Sequence, residues 1–136
     1  MKRGAPLKSG ARRLSRSKVL NPRPDISEQR AEAYERAGGK CDLCGQPLSW
    51  ARFECHHRKK RSQGGDDSLS NLIALHPACH HDKVHGRPKW AYEHGFMVRR
   101  DGDPAKTAVF RHGTRWQIPG DEQWHGAAAP ESERTS

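Results

Sequence analysis

The chain has 136 residues, enough for one domain with tails rather than two domains. Only 32% of them are hydrophobic and mean hydropathy is -1.06, so the core must be small and in need of a metal or a disulfide. A formal charge of +9 and a pI near 9.8 point to a polyanion, foremost nucleic acid. No amphipathic basic helix, lipidation signal or long apolar run supports a membrane partner or a signal peptide. A reducing cytoplasm is therefore expected, where four cysteines argue for metal ligands rather than disulfides.

Residues 1–24 are Lys, Arg, Pro, Gly and Ser with no acidic residue, and they predict a disordered basic arm. From Asp25 the composition changes. Asp25 and Glu28 fit a capping box for a helix over residues 27–37, which Gly38-Gly39 should stop. A tight CDLCG turn follows, and residues 50–57 alternate as a short strand. Ser62 to Ser70 is a polar loop bent at Gly64-Gly65, and LIAL at residues 72–75 reads as a second strand. Pro77 suits the first turn of a helix running towards Gly86, and one more short helix is expected from Pro88 to His94. Residues 96–98, 108–110 and 116–118 look like short strands joined by glycine turns. A domain over residues 25–120, with its core at about 38–98, and a flexible tail over residues 121–136 complete the division.

Two knuckle-like pairs stand at the same spacing. Cys41-x-x-Cys44 puts two thiolates on one turn, and His76-x-x-Cys79 offers a thiolate and an imidazole. Together they make a closed, structural zinc site, in which metal-binding free energy becomes folding free energy. Cys55 is left over and is expected in the core.

Between the pairs lies HHRKKRSQGGDDSLSNLIAL. Hydrolysis of a phosphodiester needs a cation at the scissile phosphate, a base for water, and something to hold that base. Histidine can serve as ligand or base near neutral pH. His56 and His57, at a strand end entering a loop, can approach one site from different directions. Asn71 is placed to pin the loop backbone behind His57, and His80, His81 and His85 could complete the metal site. Arg58, Lys59, Lys60 and Arg61 would then lie beside the phosphates. Alone, each piece reads as a surface pair, a turn residue or a solvated loop; the joint order is what argues for a site.

These residues resemble the HNH endonucleases, whose site is built on a ββα-metal motif, and most of all the small zinc-knuckle HNH proteins of phages. CDLCG, the HHRKKRSQGGDDSLSNLIAL run and HPACH carry the resemblance over about residues 30–98; AYEHGFMV, GTRW and the opening MKRGAPLK add to it. The resemblance implies an α+β fold: a small zinc-stapled ββα-metal (His-Me finger) domain with flanking helices and short C-terminal strands. It implies His57 as general base, His56 and His80 as ligands of a catalytic divalent ion (magnesium, manganese, nickel or zinc), and Asn71 as the residue orienting the base. It also implies DNA as substrate and, from the phage proteins, a place in DNA packaging or processing beside terminase. His76 departs from the cysteine usual in the family, but imidazole can replace thiolate at zinc.

The last ligand also departs. The family spaces its final histidines four apart, and four beyond His80 stands Val84. His80 and His85 would sit about 140° apart on a regular α-helix, whereas His81 and His85 share a face. The expected pair is His80 and His85, on a helix that starts late, with His81 the competitor. Two other readings stand beside a nuclease: a non-catalytic zinc-stapled nucleic-acid-binding module, and a bacterial DNase toxin-type domain. A monomer is the expected state.

Overall fold

The structure is a computed structural model and describes residues 25–130. The basic arm expected over residues 1–24 lies outside the described residues, as do residues 131–136. Helix α1 spans Ser27–Arg36. Asp25 Oδ1 accepts from the Ser27 amide at 2.9 Å and from its hydroxyl at 2.5 Å, closing a turn ahead of the helix. The expected capping box does not form, because Ile26, which has no side-chain acceptor, occupies the cap. Gly38 and Gly39, at φ +70° and +72°, end α1 in the left-handed region open to glycine.

The chain then folds into a knuckle closed by a Cys41 amide to Gln46 carbonyl bond and an isolated bridge between Lys40 and Pro47. Strands β1 (Glu54–His57) and β2 (Leu72–Leu75) pair antiparallel, with His56 opposite Ile73 and His57 opposite Leu72. The first strand is shorter than the sequence suggested, since a turn at Ser49 takes the Arg52 and Phe53 amides. The loop between the strands bends at Gly64, φ +92°, and passes so close to Lys59 that a Cβ on Gly65 would lie 1.8 Å from its carbonyl oxygen.

After β2 a helical segment begins at Pro77 and runs as a π-helix over Cys79–His85. Helix α2 follows at Pro88–Glu93, with proline in its first turn. Residues 96–98 form no strand. They are buried, and their amides bond to Ala91 and Arg58 carbonyls instead of a neighbouring strand. A second antiparallel sheet has the order β3 (Val109–Arg111), β4 (Arg115–Pro119), β5 (Trp124–Gly126). Residues 121–130, within the expected flexible tail, thus include a paired strand.

The core is small, as the composition demands. Leu72 to Leu75, Val84, Ala91, Phe96 and Val109 are fully buried. Buried cations and one buried carboxylate supply the remaining ties. Asp42 Oδ1 accepts from two Arg111 nitrogens at 2.8 and 3.0 Å, and its Oδ2 accepts from the Ala74 amide, joining knuckle, β2 and second sheet. Arg36 donates to the carbonyls of Leu69, Leu72 and Gly120. Arg58 is 0% exposed and donates to carbonyls of Gly95, Ser70, Pro104 and Thr107. The expectation that Arg58 meets phosphate is therefore corrected: its guanidinium is spent holding four loop carbonyls together.

Candidate metal centres and the basic cleft

Two clusters of metal-binding side chains stand out among the described residues. Each element brings its ligands by local geometry. The ligand atoms of Cys41, Cys44, His76 and Cys79 all lie within 4.8 Å of one another. His76 Nδ1 is 3.3 Å from Cys44 Sγ and 3.9 Å from Cys79 Sγ, while its Nε2 lies 2.8 Å from the Pro47 carbonyl. That carbonyl can only accept, so Nε2 carries the proton and Nδ1 faces the sulfurs bare. Burial, and then the neighbouring Cys41 and Cys44, push the Cys79 thiol up to about 12. A cation among them reverses that preference and keeps the thiolates charged. The donor set fits a structural zinc.

The second cluster joins β1 to the π-helix. His80 Nε2 lies 3.0 Å from His56 Nδ1 and 3.0 Å from His85 Nε2. The outward nitrogens are taken: His56 Nε2 by the Phe96 carbonyl at 2.9 Å, His80 Nδ1 by Glu54 Oε1 at 2.6 Å. In the neutral form that a metal ligand requires, His56 and His80 therefore each turn a lone pair towards the point that His85 Nε2 also faces, which fits a divalent cation. Burial above all pushes His56 down to about 3, so it stays neutral. His85 is lowered as well, by burial and by His80.

The π-helix explains the five-residue spacing. Its i→i+5 hydrogen bonds bring residues five apart onto one face, as four apart would be on an α-helix. His81 is exposed and lies outside the cluster. The grouping of His80 with His85 thus needs no late helix start; a wider turn achieves it.

His57, next to this cluster, has Nε2 2.8 Å from Asp67 Oδ1, and Arg61 reaches the same oxygen at 2.5 Å. Asn71 is fully buried: its Oδ1 accepts from the Lys59 amide at 2.7 Å, and its Nδ2 donates to the Lys59 and Asp66 carbonyls. It ties Lys59, at the start of the loop, to Asp66, the residue before Asp67. His56, His57, His80, His85, Lys60 and Arg61 share a cleft of about 550 Å³. Lys59 points elsewhere, its ammonium donating to the Gly102 carbonyl at 3.0 Å. Of the four-cation run, only Lys60 and Arg61 line the cleft. Cys55 lines it too, half-buried, and its thiol is pushed up to about 11 by burial.

The HNH endonuclease family model matches residues 41–86. Over that segment the chain matches an HNH endonuclease domain. No curated protein and no solved structure matches the chain. The matched segment begins at the first knuckle cysteine and ends just past the π-helix, so it contains both clusters, His57 and Asn71. The match points to a nuclease or other nucleic-acid-related role for residues 41–86, since HNH domains are in general endonucleases acting on DNA with divalent metals. No helix among the described residues is long and apolar enough to cross a membrane.

Sequence reasoning missed Glu54 and Asp67. Glu54 had a signal: two residues before His56 on one strand, it faces the same side. Asp67 had none, because a loop without periodicity does not say which of its acids turns inward.

Proposed function

We propose that the HNH domain is a metal-dependent DNA endonuclease that hydrolyses phosphodiester bonds. The observation that carries this reading is the placing of His57 in one cleft with the His56, His80 and His85 cluster and with Lys60 and Arg61. His57 takes a proton from water, which attacks phosphorus in line with the leaving 3′ oxygen and gives 5′-phosphate and 3′-hydroxyl ends. His56, His80 and His85 hold one divalent ion, magnesium, manganese, nickel or zinc. When bound, that ion supplies positive charge to the scissile phosphate and the departing oxygen. Asn71 keeps the loop behind His57 in place. Lys60, Arg61 and the cations of residues 1–24 grip the backbone, which gives affinity without sequence preference.

On an α-helix a five-residue gap before His85 would favour a non-catalytic binding module; on the π-helix the same gap supports the nuclease reading. The resemblance to small phage proteins extends the proposal to DNA packaging or processing in the host cytoplasm, with terminase as a partner and the monomer as the working form.

The direct test is conversion of supercoiled plasmid by the full chain, with EDTA or with each of the four metals in turn. Nicked or linear product with a metal and none with EDTA is expected. Intact plasmid under every metal, despite DNA binding, would instead support the binding module.

A further inference from the structure

Asp67 lies on the loop between β1 and β2, ten residues beyond His57, and its Oδ1 is the hydrogen-bond partner of His57 Nε2 at 2.8 Å. A carboxylate can only accept from a neutral imidazole. The contact therefore places the proton on Nε2 and leaves the Nδ1 lone pair free. The Asp67 carboxyl is held below the usual carboxylate range by His57 first and by Arg61, so it remains an anion through neutral pH. The loop is not free to drift: Asn71 Nδ2 donates to the carbonyl of Asp66 at 2.9 Å, and the Ser68 amide and hydroxyl both bind the Asp66 carboxylate. Asp66 is thus fixed on both its carbonyl and its side chain, and Asp67 is the next residue along.

We infer that Asp67 is the positioning residue of His57, selecting the tautomer in which Nδ1 is the base. This rests on the reading of His57 as the proton acceptor. Arg61 gives the arrangement a second consequence. It shares Oδ1 with His57, so an arriving phosphate would meet a cation that Asp67 holds beside the base. The carboxylate thereby sets both the proton acceptor and its nearest phosphate-binding cation. Removing it should lower turnover without weakening binding, since Arg61 is then released to the phosphate.

The experiment pairs plasmid-cleavage kinetics of the full chain with nitrogen-15 spectra of the His57 ring, for wild type, Asp67→Ala, Asp67→Ser and His57→Ala. The two Asp67 variants keep a readout available if one of them misfolds, and retained zinc reports folding. The wild-type ring should be the Nε2–H tautomer. In the Asp67 variants that preference should be lost, with kcat down by at least about tenfold and KM unchanged or lower. A His57→Ala, Asp67→Ala double variant should be no slower than His57→Ala alone. An unchanged tautomer ratio or wild-type kcat in folded Asp67 variants overturns the inference. Full cleavage by His57→Ala overturns instead the assignment of His57 as base, whatever the spectra show.

Discussion

His56 is 5% exposed, with one ring nitrogen on a backbone carbonyl and the other facing two more histidines. Burial moves its pKa from 6.5 to about 3, so the unfolded chain binds a proton there that the folded chain refuses. Where the unfolded state binds more protons, stability rises with pH; it must fall on acidification below 6.5 and go on falling towards 3. Between about pH 7.5 and about pH 5 this one group should cost about 2 kcal/mol. Proton competition for a bound ion acts in the same direction. Urea unfolding at the two pH values measures the loss, and His56→Gln should show a smaller one; equal losses would contradict the account. At this scale much was legible. Cys41, Cys44, His76 and Cys79 announce themselves by spacing, because short turns fix where such side chains point. Arg58 was not legible: nothing in RKKR distinguishes the one guanidinium that four loop carbonyls enclose. Only tertiary folding decides that.

The π-helix is the element on which the histidine cluster depends. It converts a spacing of five, wrong for an α-helix, into a shared face, while Val84 beside His85 stays fully buried. A single deletion tests this. Without exposed Lys83 the two histidines stand four apart, the segment can close as an α-helix, and a second metal ion should still bind. An alanine inserted after Asp82 separates them by six and should abolish that ion. Metal stoichiometry on both variants decides, with the structural zinc as an internal control; loss of the second ion in the deletion with zinc retained would sink the explanation. The ββ-helix order was legible because LIAL and the Pro77 start are strong local signals. The helix type was not, because an extra residue per turn leaves no mark on an amphipathic pattern this short. Nor was β5, whose residues carry no alternation and pair only because β4 offers an edge.

Across the whole molecule a core this small is held by cross-ties between distant segments. The Cys41, Cys44, His76, Cys79 cluster joins the knuckle to the start of the π-helix, and the Asp42–Arg111 pair carries the knuckle on to the second sheet. Zinc binding is then folding free energy, and a strong chelator should unfold the domain rather than merely silence it. Circular dichroism and tryptophan emission during chelation check this; a native spectrum with zinc gone would refute the staple. The same frame sets the histidine cluster, His57 and the cleft-lining cations Lys60 and Arg61 around one cleft. The most direct test of that arrangement compares wild type with His57→Ala in metal-supported plasmid cleavage, alongside DNA binding and metal content. His57→Ala should keep its fold, both ions and its DNA affinity while cleavage falls by at least about a hundredfold. Cleavage at the wild-type rate by a folded, metal-loaded His57→Ala protein would contradict it.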